Sequence, residues 1–195
     1  MKRWVPVVAV ALPGLALAVI GLLHPVDLTP ATATRWWQLH VLLLPIFPLL
    51  AVAIWTLVRN DRGPLAWAAR LAAYLFAAFY TGLDTLAGIG AGIAVETQRG
   101  GSQIALNLIE LGNELAEVGV YAFLAATVLV GVLAVGRDGT RAVPGTVLLI
   151  GAAVPFLHGH IYWPVGGLAM VGVGVGCGLL AAARLPVGAA AHPAT

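Results

Sequence analysis

The chain has 195 residues, of which 61% are hydrophobic and 9% charged, and its mean hydropathy is +0.97. A soluble domain carries about 25% charged residues, so a water-soluble fold is excluded. Ten Lys/Arg against eight Asp/Glu leave a net charge of +2, spread between apolar runs instead of gathered on one basic face, which argues against nucleic acid as a partner. The single cysteine, Cys177, excludes an intramolecular disulfide and a cysteine-cluster metal site.

What remains is an all-α, polytopic integral membrane protein whose first partner is the lipid bilayer. A helix of about 20 apolar residues crosses a hydrocarbon core of roughly 30 Å. Six stretches reach that length: residues 4–23, 37–58, 65–95, 103–135, 143–163 and 164–183. They form one six-helix domain over residues 1–184, and residues 185–195 read as a short disordered cytoplasmic tail. The first stretch has a competing reading, since Met1-Lys2-Arg3 and Ala16-Leu17-Ala18 also fit a cleaved secretory signal; the apolar run continuing from Val19 to Leu23 favours a retained helix. The stretches are separated by turn chemistry: two prolines in 24–36, RNDRGP at 59–64, ETQRGGS at 96–102, GRDGTRA at 136–142, and Trp163-Pro164. Within the second stretch, Pro45 and Pro48 predict a kink just below His40.

Positively charged loops stay cytoplasmic. Lys2, Arg3, Arg59, Arg62, Arg137, Arg141 and Arg184 share one side of the six-span arrangement, with Arg35 and Arg99 on the other. The expectation is therefore a plasma (inner) membrane protein with both termini cytoplasmic. Trp36, Trp37, Tyr162 and Trp163 then mark the outer boundary.

Ionisable side chains within a span are costly and point to function. They are His40, Arg70, Asp84, Glu110, Glu114, Glu117, His158 and His160. His40, Asp84, Glu117, His158 and His160 all lie roughly 15 to 19 residues from the cytoplasmic end of their spans, a common layer about 22 to 29 Å up. Arg70 is near the cytoplasmic end and reads as a snorkelling side chain. On the fourth span, Gln103, Asn107, Glu110, Glu114, Glu117 and Tyr121 recur in steps of three and four, one narrow helical stripe. A looser stripe on the third span runs through Arg70, Tyr74, Thr81, Asp84 and Gly88, and the two are expected to face each other or a shared, outward-opening cavity.

His, Asp and Glu are nitrogen and oxygen ligands of zinc, iron or manganese. His40, Asp84, Glu117, His158 and His160 are thus candidate ligands of a divalent metal, with Glu114, Glu117 and Asp84 as candidate acid/base groups of a membrane enzyme. On a regular helix His158 and His160 point about 200° apart, so both converge only if the chain unwinds at Gly159. The alternative cofactor is haem b, with His40 and His158 or His160 as axial ligands. A small lipophilic ligand and a helix-mediated oligomer are the partners such a bundle accommodates. Three other readings stay open: a small proton-linked transporter, a noncatalytic accessory or scaffolding subunit, and a hairpin of spans three and four that projects beyond the membrane and merely solvates its acids. Gly88-x-x-x-Gly92, Gly172-x-x-x-Gly176 and Gly174-x-x-x-Gly178 read as close helix contacts.

Overall fold

The computed structural model describes residues 4–98 and 102–185; the expected tail at 186–195 and the charges of Lys2, Arg3 and Arg99 lie outside them. Every regular element among the described residues is helical. In chain order these are α1 (Val5–Gly21), α2 (Ala33–Leu43), α3 (Pro48–Leu57), α4 (Pro64–Leu83), a π-helical segment (Asp84–Gly90), α5 (Ala91–Gln98), α6 (Gln103–Asp138), a 3-10 turn (Gly139–Ala142), α7 (Val143–Gly159) and α8 (Val165–Ala183).

Four continuous helical stretches are long and apolar enough to cross a membrane: Ala33–Leu57, Pro64–Gln98, Gln103–Gly159 and Val165–Ala183. A fifth, Val5–Gly21, is equally apolar in character but has only 17 residues. The expected count of six is therefore not reproduced as six separate long helices. The difference lies at residues 136–142, where a 3-10 turn instead of an open loop joins α6 to α7 and keeps the helical run unbroken. The chain nevertheless folds back there, because Gly131 lies against Thr146 and the Phe123 ring lies 5.7 Å from Phe156.

The second expected span is one helical run of 25 residues, interrupted at residues 44–47 just below His40, where Pro45 and Pro48 predict a kink. Pro45 and Pro48 have no amide hydrogen to donate, so the regular bonding of α2 lapses after Leu43 and resumes as α3 at Pro48, with Phe47 N still donating to Leu43 O across the junction. The third runs without interruption from Pro64 to Gln98 but widens into a π-helix at Asp84–Gly90. Such widening leaves carbonyls free of their usual helical partners, and one of them, Ala87 O, accepts the Trp36 indole N–H at 3.1 Å. Ser102 starts α6, its hydroxyl accepting the Ala105 amide at 3.3 Å.

In lipid, helices associate through close packing of small residues instead of expulsion of water. The glycines behave accordingly. A Cβ on Gly14 would sit 2.6 Å from Gly174 N, so the backbones of α1 and α8 touch, and Gly172 and Gly176 fit α8 against Ala152 and Leu149 of α7. Outward-facing positions are apolar, among them Val8, Leu12, Val19, Trp67, Leu71 and Val147, as a lipid-facing surface requires.

The two ends of the bundle differ in chemistry. At one end Asp61 pairs with Arg137 at 2.5 Å and Arg184 at 3.3 Å, and Arg137 also pairs with Asp138 at 2.8 Å. Arg70, expected to snorkel, reaches this end and donates to the carbonyls of Val58 (2.6 Å) and Asp61 (3.0 Å). The opposite end gathers the α1–α2 connection, the start of α2, the π-segment and the α7–α8 connection, and it holds the histidines.

Candidate metal centre

His24 follows the last turn of α1, His40 lies on α2, and His160 terminates α7. Three remote segments thus bring three imidazoles together. The His24 ring is edge-on to His40 at 4.9 Å and to His160 at 5.5 Å, while His40 and His160 lie parallel at 6.0 Å. One ring nitrogen from each of the three lies within 4.8 Å of the other two.

The second nitrogen of each ring is already engaged. His24 Nδ1 lies 2.6 Å from Pro25 O, and His40 Nδ1 lies 2.8 Å from Trp36 O. A carbonyl oxygen only accepts, so both Nδ1 atoms carry the proton and both Nε2 atoms present a lone pair. His160 Nδ1 meets the Tyr80 hydroxyl at 2.6 Å. For His24 and His40 this is how metal-ligating histidines are usually held, with the distal N–H anchored by an oxygen; the Tyr80 hydroxyl, which both donates and accepts, fixes the His160 ring. The Nε2 atoms of His24 and His160 are buried and have no hydrogen-bond partner. Burying an imidazole nitrogen without a partner is unfavourable, and burial also pushes the His24 pKa below its ordinary value, keeping that ring in the neutral form a metal needs.

His160 is positioned by a break in the chain. Its φ of 40° lies in the left-handed region, uncommon for a side chain with a Cβ and worth about 1–3 kcal/mol of strain. The break ends α7 at Gly159 and turns the His160 ring inward, while His158, still helical, remains exposed. The chain does unwind at the expected place, but the unwinding separates the two histidines instead of joining them.

Beneath the rings lies a floor of aromatic side chains: Phe47, Tyr80 and Phe156 are fully buried, and Phe47 lies 5.5 Å from His160. Beside them opens a cavity of about 780 Å³. His40, His160 and Tyr80 form one wall; Asn113, Glu117 and Tyr121 of α6 form another. His158 lines its edge.

The residues singled out from the sequence therefore separate. His40 and His160 meet in the cluster; Glu117 and His158 line the cavity without joining it. Asp84 is completely buried, with neither carboxylate oxygen hydrogen-bonded. Glu110 and Glu114 are exposed and away from the cavity. The α6 stripe does not pack directly on the α4 stripe, because the helices meet through Gly112 against Ala87 and Gly119 against Tyr80, but its members Glu117 and Tyr121 line the cavity that Tyr80 and Leu83 of α4 also line. His24 is the member of the cluster that the sequence pattern misses. It lies outside any periodic segment, and the available signal is a histidine directly at the outer end of an apolar run, level with the layer containing His40 and His160.

No known protein family, curated protein or solved structure matches this chain.

Proposed function

We propose that this is a multi-pass protein of the bacterial inner-membrane kind, with six crossings and both termini cytoplasmic, that holds one divalent transition-metal ion at the outer end of its bundle. His24, His40 and His160 are the ligands. One observation carries the reading: three imidazoles from three distant segments converge, with the Nδ1 atoms anchored and two buried Nε2 atoms lacking any hydrogen-bond partner. Nitrogen–metal bonds of about 2.0–2.1 Å in a tetrahedral site hold ligands a little over 3 Å apart. The observed limit of 4.8 Å thus calls for a modest contraction around an ion.

Three histidines leave a fourth position, and the adjoining cavity of about 780 Å³ is large enough for a small ligand beside it. Lipophilic side chains share its lining with Asp27, Asn113 and Glu117, so a small lipophilic molecule that also carries polar groups suits it. An ion in this position serves either ligand binding or Lewis-acid catalysis, Glu117 being the acid/base candidate. A bare ion fits better than haem b, because two axial histidines need an open slot between them and His24 is packed edge-on against both rings.

The test is metal loading of detergent-purified protein with Zn(II) or Co(II), followed by removal of free metal and elemental analysis. About one equivalent per chain is expected for the wild type, and none for the triple variant His24→Ala, His40→Ala, His160→Ala. Absence of metal in the wild type, or equal retention by the triple variant, overturns the reading.

A further inference from the structure

Asp84 is the most anomalous group in the molecule. Its relative exposure is 0%, and neither carboxylate oxygen has a hydrogen-bond partner. A buried carboxyl without donors is neutral by protonation when left alone, and ionises only where a cation or other group outside the protein's own hydrogen-bond network compensates it. Its location identifies what that is. Asp84 lies one turn from Tyr80 on one side and Gly88 on the other, along the same face of the α4–π helix. Tyr80 bonds His160. Gly88 abuts the His40 ring so closely that a Cβ there would overlap it. The face carrying Asp84 is thus the face laid against two of the three histidines, and the π-helical segment begins at Asp84 itself.

We infer that Asp84 is the charge-balancing carboxylate of the metal centre, facing a divalent cation held by His24, His40 and His160 from the protein side. The inference rests on the three-histidine reading above and extends it. Three neutral imidazoles leave a divalent ion's charge uncompensated in an apolar surround, where an opposite charge has its largest effect. Asp84 is the one carboxylate among the described residues that is buried. It stands outside the set of mutually close ligand atoms and does not line the cavity. It therefore acts beyond the coordinating nitrogens and leaves the fourth position open to the cavity. Outer carboxylates that hydrogen-bond a ligand are worth about 10- to 100-fold in metal affinity, and Asp84, acting through charge alone, belongs at the low end of that range.

The experiment compares wild type, Asp84→Asn and Asp84→Leu, both isosteric in branching, by Zn(II) competition titration and by thermal melting with and without Zn(II). The visible spectrum of the Co(II) form reports the nitrogen ligands separately. The expected result is an apo melting temperature equal to or above that of the wild type, because a buried polar group without a hydrogen-bond partner has been removed. Zn(II) affinity should fall about tenfold, with a correspondingly smaller metal-induced rise in melting temperature and a Co(II) spectrum still showing bound histidine. A merely structural role for Asp84 predicts the opposite pair, a lower apo melting temperature with unchanged affinity, and that result overturns the inference while sparing the three-histidine site. Failure of both variants to fold overturns it too, since a group present for the cation is dispensable to the apo fold. No Zn(II) binding by the wild type overturns both readings.

Discussion

At the scale of single residues, two histidines at the same end of the bundle make opposite predictions. His24 contributes a buried, unpartnered Nε2 to the cluster; His158 lines the cavity edge on an exposed face. His24→Ala is expected to lower Zn(II) affinity at least about 100-fold, because two ligands remain where three converged. His158→Ala should leave affinity within about twofold. Competition titration of the two purified variants decides the matter, and the reverse ranking would remove His24 from the site. Counting residues along each span places His40 and His160 at a common height because helical rise is regular. The same count is blind to His24, which sits in irregular chain with no period to read. It also overvalues Glu114, since a stripe's regularity on one helix does not determine which face a neighbouring helix selects. Here the small residues Gly112 and Gly119 select it.

At the scale of elements, the site depends on how closely α2 lies against the π-helical segment. Gly88 makes that approach possible, since any side chain there meets the His40 ring. In an unconstrained helix Gly→Ala stabilises by about 1 kcal/mol. Gly136 and Gly151, where an added methyl group would meet nothing within 4 Å, should show that benefit or no change. Gly88→Ala should behave differently: the methyl group displaces His40, and Zn(II) affinity falls about tenfold or more although no ligand has been removed. Melting curves and titrations of the three glycine variants separate the effects, and wild-type affinity in Gly88→Ala would show that His40 is free to move. The Gly88-x-x-x-Gly92 spacing announces a close contact, and Pro45 and Pro48 announce a disturbance below His40. The π-helix is not legible in the same way, because seven residues make fewer than two turns, too few for the sequence to distinguish the two helical periods.

At the scale of the whole molecule, the two ends of the bundle carry different charges for physical reasons that also bear on its orientation. Asp61, Arg137 and Arg184 join the α3–α4 connection, the end of α6 and the end of α8 in one ion-pair group, and Arg59, Arg62 and Arg141 belong to the same end of the bundle. The histidine end contains Arg35 as its one described arginine. An excess of arginine retains an end on the cytoplasmic side during insertion, so the proposed metal centre is expected to open away from the cytoplasm. Thr29, on the exposed α1–α2 connection, and Arg62, on the exposed α3–α4 connection, mark the two ends. Cys177 is buried and should stay silent toward a membrane-impermeant thiol reagent. In intact bacterial spheroplasts Thr29→Cys should be labelled and Arg62→Cys should react only after lysis. The opposite pattern would place the histidines on the cytoplasmic side and would make the ion's source the cytosolic pool. Labelling of both before lysis would mean that the two ends are not on opposite sides of a bilayer, which a bundle with a helical run of 35 residues from Pro64 to Gln98 is long enough to span.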